Sequence, residues 1–219
     1  MKRFSIFLLF LIVGCALNAQ DDYRNYVLSR TMLNGTGTSY LDNITYYDGL
    51  GRPFQTVQKA VQSGLPVNKN LATLQEYDAA GREWNSWLPT FAGSSDYLAP
   101  AGIKSSAPGN YDNDSRPYSQ PVYKASPLNR LTAQYGPGAA WYNAGRPVKT
   151  EYLLNTNASP LKCIKYGVSS TGGLTGNSTT FYTTGELSVV NTTDEDLNLS
   201  YTFTDKQGRT VLTRQMNNS

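Results

Sequence analysis

A mainly β, antiparallel fold is what this sequence predicts, and three observations predict it. The 219 residues hold sixteen tyrosines with only 16% charged residues, and tyrosine, threonine and valine suit pleated, half-buried surfaces. Short strand-like runs alternate along the chain with clusters of Gly, Pro, Asn and Asp that mark turns. One turn is written three times: "YYDGLGRPF" at 46–54, "EYDAAGREW" at 76–84 and "FTDKQGRTV" at 203–211.

Each copy has the form Asp-x-x-Gly-Arg. In the first, the carboxylate of Asp48 can accept hydrogen bonds from the N–H groups of the turn. Gly51 takes the place where a hairpin loop needs positive φ. Arg52 opens the return strand, where its guanidinium can lie across a tyrosine or pair with an acid. Asp78, Gly81 and Arg82 repeat the pattern, as do Asp205, Gly208 and Arg209. The two middle places need only turn, which is why Gly49-Leu50, Ala79-Ala80 and Lys206-Gln207 are interchangeable. These are structural turn residues. A catalytic reading would need a nucleophile or base to converge with them, and the repeats supply none.

The elements follow in order. Residues 23–61 read as a strand or two, a turn and a strand, and 63–70 ("SGLPVNKN") as a loop. "LATLQEY" and "REWNSWL" form the second pair. From 89 to 127 six prolines with many Gly, Ser, Asn and Asp predict a long irregular excursion with room for one short helix near 100–106. Its Tyr97, Ile103, Tyr111, Tyr118 and Tyr123 predict that it packs on the sheet. Strands resume with "PVKTEYLL" and "LKCIKYGV". The end is a meander of "GELSVV", "LNLSYTFT" and "TVLTRQ". Val211 and Leu212 lie on opposite faces of that last strand, which predicts a following hairpin beside it, with Arg214 giving the edge some protection.

The first nineteen residues read as an export signal: Lys2 and Arg3, an apolar run from Phe4 to Val13 too short to span a bilayer, then small residues. Two processing outcomes stand open. Cleavage after Ala19, the favoured one, leaves Gln20 first. Alternatively "IVGC" resembles a lipobox, in which Cys15 is lipidated and anchors the chain. The mature domain is then 20–219, and the destination is secreted or the outer cell surface. Cleavage leaves seventeen basic against sixteen acidic residues, so no basic stripe argues for nucleic acid. Cys163 becomes the remaining cysteine, without a disulfide partner in the chain. Histidine is absent, which removes the usual general base and the commonest metal ligand.

Other features read as structural first. Trp84, Trp87 and Trp141 are candidate sugar-stacking platforms. On a strand, however, Trp84 and Trp87 point to opposite faces unless a bulge intervenes, and core packing is the better reading for at least one. "YDNDS" (111–115) and "TDEDL" (193–197) cluster carboxylates but lack the spaced ligands of a calcium loop, so they read as solvated turns. Cys163, between Leu161 and Ile164, reads as a buried thiol. No cofactor and no metal is expected.

Tyr-Asp-x-x-Gly-Arg at 47–52 and 77–82 resembles the YD repeat of Rhs-type proteins and teneurins; the third copy has Thr204 for the tyrosine. The ordered segments "YLDNITYYDGLGRPFQTVQ", "SRPYSQPVYKASPLNRLTAQYGPGAAW" and "VKTEYLLNTN" resemble an uncharacterised domain at the start of exported bacterial Rhs/YD-repeat proteins. That resemblance implies a non-enzymatic hairpin module preceding a large YD-repeat shell, partnered by downstream repeats of the same polypeptide, with a surface glycan or protein as a further partner. In the family such shells can enclose a C-terminal effector released by self-cleavage. No core segment for that cleavage and no toxin-like extension is found here, so delivery and cleavage are not carried over. The competing readings are a carbohydrate-binding β module and, more distantly, a hydrolase.

Overall fold

A computed structural model describes residues 24–62, 69–93, 95–176 and 179–216. The expected export signal, with Cys15 and the Ala19–Gln20 junction, lies outside the described residues. The described chain builds a large antiparallel sheet, as the sequence predicts. Its strands in chain order are β1 (Asn25–Met32), β2 (Tyr40–Tyr47), β3 (Pro53–Gln62), β4 (Lys69–Tyr77), β5 (Glu83–Phe91), β6 (Tyr118–Tyr123), β7 (Leu131–Tyr135) and β8 (Val148–Leu154). After a small hairpin of β9 (Gly167–Val168) and β10 (Leu174–Thr175) come β11 (Ser188–Thr193), β12 (Leu199–Thr204) and β13 (Thr210–Met216). Two helices interrupt the strands, α1 (Pro100–Asn110) and α2 (Ala139–Asn143). Apart from the β9–β10 pair, the eleven strands lie side by side in chain order, β1 to β8 and then β11 to β13.

Strict alternation of direction has a consequence for function. The connections β2–β3, β4–β5, β6–β7, β8–β11 and β12–β13 all fall at one end of the sheet. The three Asp-x-x-Gly-Arg turns are therefore stacked at that same end.

The register also fixes the faces. Leu74 pairs with Trp87 and Trp87 with Tyr118; further along, Leu153 pairs with Val189, Val189 with Phe203 and Phe203 with Leu212. Tracing the ladder across puts both buried clusters on one face. The first comprises Ile44, Tyr46, Val57, Ala72, Leu74, Ala92 and Ile103, flanked by Trp87, Tyr97 and Leu98. The second comprises Cys163, Leu187, Val189, Tyr201 and Phe203, flanked by Leu161, Tyr182 and Leu212. The opposite face presents Thr73, Gln75, Ser86, Ser119 and Gln134, a polar alternation that suits water.

Each cluster is roofed by an excursion of the chain itself. Residues 89–127 are more regular than their composition suggests: β5 extends to Phe91, α1 runs to Asn110 and β6 follows. The helix outlasts the expected 100–106 because Ile103 and Ala107, four apart, both bury against the sheet. Propensity does not make it, since it contains Gly102, Pro108 and Gly109 and lacks a side-chain cap. Tertiary contacts do. Gln55 donates to the Leu98 carbonyl (2.5 Å), the Tyr46 hydroxyl to Asp96 O (2.9 Å) and the Asn70 amide to Ser95 O (2.9 Å). Glu76 accepts from Lys104 on the helix, from the Trp87 indole (2.9 Å) and from the Asn85 amide (3.0 Å). Burial opposes the charge on Glu76, but these donors outweigh it and hold its carboxyl below the usual range.

The second roof corrects an expectation. "LKCIKYGV" is not a strand of the large sheet; only its last two residues are strand, as β9 beside β10. β8 and β11 pair directly through six residues, so no ladder remains between them for the intervening chain. That chain instead lies over the second cluster, with one bridge between Ile164 and Phe181 and the short β9–β10 hairpin. Asn155, fully buried, closes its neck: the side-chain amide donates to Thr183 O (2.9 Å) and its oxygen accepts from Leu187 N–H (2.8 Å). Arg214 does not guard the β13 edge. It turns to the covered face and donates to the carbonyls of Pro160 and of Lys162 (2.9 Å).

If α1 exists through docking, Ile103→Ala should cost about 3 kcal/mol by leaving a cavity under the helix. Urea melts of variant and parent check this, with loss of amide protection concentrated in 95–110.

Candidate functional site

The stacked turns repeat one atomic arrangement. In the first, the N–H of Gly51 donates to Asp48 O (3.0 Å) and the N–H of Asp48 to Arg52 O (2.9 Å), a three-residue hairpin loop with its bulge. Asp48 Oδ1 accepts from the backbone N–H groups of Leu50 and Arg52, both at 2.9 Å. Asp48 Oδ2 takes the Arg52 guanidinium through Nε (2.8 Å) and Nη2 (2.7 Å). The copies at Asp78–Arg82 and Asp205–Arg209 reproduce these contacts to within about 0.1 Å. Gly51, Gly81 and Gly208 sit at φ of 76°, 79° and 80°, the left-handed conformation that the sequence assigned to them.

The carboxylate thus does two jobs, folding the loop and aiming the guanidinium. The target is a tyrosine on the next strand. The Arg52 guanidinium lies 4.2 Å from the ring centre of Tyr77, and that of Arg82 lies 4.5 Å from Tyr123. Tyr77 is the tyrosine that opens the second repeat, and its hydroxyl donates back to Pro53 O (2.8 Å). The tyrosine before one turn is therefore held by the arginine of the turn before it.

The relay continues where the motif is not written. Arg130 lies 4.8 Å from Tyr152. Its loop, 124–130, is longer, yet Asn129 at φ 49° stands in for the glycine and the N–H of Lys124 donates to Arg130 O (2.8 Å). Asparagine before arginine was the available signal, because asparagine tolerates this conformation. Extending each ladder shows a shared register. From Gln55↔Leu74, Ser86↔Ser119 and Ala133↔Lys149, each arginine falls directly opposite its tyrosine. At Thr204 the relay has no donor. The strand beside it, β11, begins at Ser188, which pairs with Thr204, and no turn arginine precedes it.

The stretch at 193–197, read as a solvated turn, is indeed a turn and holds a further copy of the loop. Asp194–Asn198 ("DEDLN") at the other end of the sheet makes the same loop. Asp194 Oδ1 accepts from Asp196 N–H (2.9 Å) and Asn198 N–H (2.8 Å), and the Asn198 side chain replaces arginine at Oδ2 (3.0 Å). Leu197 occupies the glycine place at φ 69°, and no residue type there signals it. In "YDNDS" Asp114 accepts from the N–H groups of Arg116 (2.7 Å) and Ala139 (3.0 Å), tying α2 to the excursion. Among the described residues no three His, Cys, Asp or Glu side chains gather at one point.

The tryptophans do not converge. Trp87 packs against the first cluster and the Tyr118 ring (4.6 Å). Trp84 lines an open depression of about 390 Å³ on the polar face, with Gln75, Glu83, Ser119, Tyr123 and Gln134. The register of β4 and β5 does shift between them, yet they remain on opposite faces. Trp141, on α2 and 49% exposed, stands apart beside Arg146 and Asp196. Cys163 is buried, and burial pushes its thiol up, away from the reactive thiolate.

Fold and turns together define a class: an antiparallel β module built from tandem hairpins, with its arginine-tipped turns stacked at one end. Residues 20–154 match a protein family described as a domain of unknown function, DUF6443. That match covers more than half of the chain, and the chain belongs to this family. It takes in the first two turns and the whole relay to Tyr152, whereas β11 to β13 lie beyond it. Comparison with curated proteins and with solved structures gives no match.

Positive φ makes the turns testable. Gly51→Val should cost roughly 1–3 kcal/mol. Gly81→Val should cost more, because an added Cβ would stand 3.1 Å from Arg52 Nη1. Leu197→Gly, which relieves the strain, should stabilise by about 0.5–1 kcal/mol. Chemical melts of the three variants check the order.

The same carboxylates set an acid limit. The backbone N–H and then the guanidinium of Arg52 hold Asp48 below the usual carboxylate range. The guanidinium leads at Asp78, the Asn198 amide at Asp194 and the Arg209 N–H at Asp205. Their folded values lie below the unfolded ones. The stabilisation is therefore complete above the unfolded value, near pH 4, and is lost as pH falls through the folded values. Thermal melts from neutral pH down to about pH 2 should decline below about pH 4, and Asp78→Asn should flatten that decline.

Proposed function

We propose that this chain is a non-enzymatic structural and interaction module of an exported protein. In that reading it is the opening stretch of a YD-repeat wall of the Rhs type, partnered by further repeats of the same polypeptide. The observation that carries it is the relay. Arg52, Arg82 and Arg130 each cover a tyrosine of the neighbouring strand, so each hairpin organises the next one. Turn aspartates and arginines that elsewhere would be candidates for acid–base work are engaged here by their own loop and its neighbour. The apolar segment at 4–13 supports export to the surface or medium, with a lipid anchor on Cys15 as the alternative to cleavage at Ala19.

A second reading rests on the depression at Trp84. An aromatic face beside Gln75, Glu83 and Gln134 suits the apolar side and hydroxyls of a sugar ring, so a glycan is the ligand to test there. Saturable quenching of tryptophan fluorescence by oligosaccharides, absent in Trp84→Ala, would move the assignment to a carbohydrate-binding module.

The structural reading predicts where stability resides. Arg52→Ala and Arg82→Ala should each lose about 1 kcal/mol from the ring contact and the ion pair together, whereas Arg209→Ala should lose much less. Equal losses at all three positions in urea melts would remove the relay from the account. Reading the gene beyond codon 219 tests the context, with further Tyr-Asp-x-x-Gly-Arg hairpins as the expected result.

A further inference from the structure

The third copy of the turn is built like the others but lacks their neighbour. Arg209 holds Asp205 through Nε and Nη2, both at 2.8 Å, just as Arg52 and Arg82 hold their aspartates. Yet its side chain is 75% exposed, against 30% for Arg52 and 26% for Arg82. The difference is the strand that carries the tyrosine. Among the described residues β13 pairs with β12 alone, so its second ladder of N–H and C=O groups is open. β13 also runs in the same direction as β3, β5 and β7, the three strands that open with a relaying arginine.

We infer that the free edge of β13 is a docking edge for an antiparallel β-strand that ends in tyrosine, with the ring seated under Arg209. The inference rests on the structural reading above and names the partner's chemistry and register. The guest is a strand of the kind that precedes a Tyr-Asp-x-x-Gly-Arg turn. In the three internal pairs the arginine stands directly opposite the tyrosine, so the tyrosine opposite Arg209 sets the guest's alignment along Thr210–Met216. Main-chain hydrogen bonds supply most of the affinity and the ring fixes the register. Asp205 has already restricted the guanidinium to the geometry that covers a ring, so little side-chain entropy is left to lose on docking.

Direction excludes one occupant. Copies of this chain laid side by side in the same orientation would place β1 against β13. An even number of steps separates these strands in an alternating sheet, so they are parallel and would not reproduce the relay. A two-fold pair of copies through β13 would be antiparallel, but would set arginine-tipped ends far apart with no tyrosine under either.

The test uses a peptide copying residues 69–82, which contains β4, Tyr77 and the second turn, and a control with alanine in place of that tyrosine. Hydrogen exchange of the full chain is followed with each peptide at millimolar concentration. The tyrosine peptide should slow exchange of Thr210–Met216 and leave β1 unchanged. The control peptide should bind about fivefold more weakly, as should the tyrosine peptide to Arg209→Ala. Arg209→Lys keeps the charge but not the planar fork, and should behave like the alanine variant. No slowing at β13, equal slowing by both peptides, or slowing equal in Arg209→Ala would overturn the inference. So would protection of β13 without peptide that rises with protein concentration, which would identify a second copy as the occupant. Failure here with Arg52→Ala and Arg82→Ala still destabilising would leave the structural reading intact; neutrality of those two variants would remove that reading instead.

Discussion

Each Asp-x-x-Gly-Arg turn of this sheet depends on one carboxylate that serves two partners. Oδ1 of Asp48 gathers two backbone N–H groups and closes the loop, while Oδ2 fixes the guanidinium of Arg52. A neutral side chain could help to close such a loop, as Asn198 helps at Asp194, but would not hold a cation in a chosen direction. Because the arginine is fixed before it meets its tyrosine, the contact between strands costs less entropy than a free surface arginine would incur. Local turn chemistry is thereby converted into a contact between neighbouring hairpins.

That conversion matters because the sheet is wide and covered on one face only. Among the described residues the eleven-stranded sheet has only the two-stranded β9–β10 pair as a second sheet, and its apolar positions need a roof. The chain provides two, the α1 excursion over the first cluster and residues 155–176 with 179–187 over the second. Both are held by side chains that reach from the strands to main-chain carbonyls: Gln55, Tyr46 and Asn70 under one, Asn155 and Arg214 under the other. The roofs are shaped by these anchors and not by their own propensity, the helix α1 included.

The polar face and the turn end remain open, and there the arginine–tyrosine relay lies. Membership of DUF6443 covers the portion in which that relay is complete, from the first turn to Tyr152. The last three strands repeat the turn without the tyrosine before it, consistent with β11 having no arginine to offer. At β12 the tyrosine and the arginine opposite it are absent together, whereas Tyr47 of the first copy stands opposite Asn25 and opens the relay without an arginine of its own.

Much of this was legible in the residues. Alternation and turn punctuation determine β1 to β5, β8 and the final meander, and Asp-x-x-Gly-Arg determines three loops with their positive-φ glycines, since both depend on neighbours within a few positions; β6 and β7, in and after the proline-rich stretch, are fixed only by pairing with β5 and β8. The sequence also raised the alternatives for Arg52, a tyrosine or an acid, and the structure uses both at once. What it could not name was which tyrosine, because Arg52 and Tyr77 meet only through a ladder whose register is set by side chains far apart in the chain. For the same reason α1 exceeded its propensity, "LKCIKYGV" became a roof instead of a strand once β8 and β11 had paired, and Arg214 turned from the edge to the carbonyls above it. In the "DEDLN" turn Asp194 closes the loop locally, while the leucine at positive φ is held there by the pairing of the strands on either side. Local chemistry wrote the hairpins, and long-range pairing decided what each one touches.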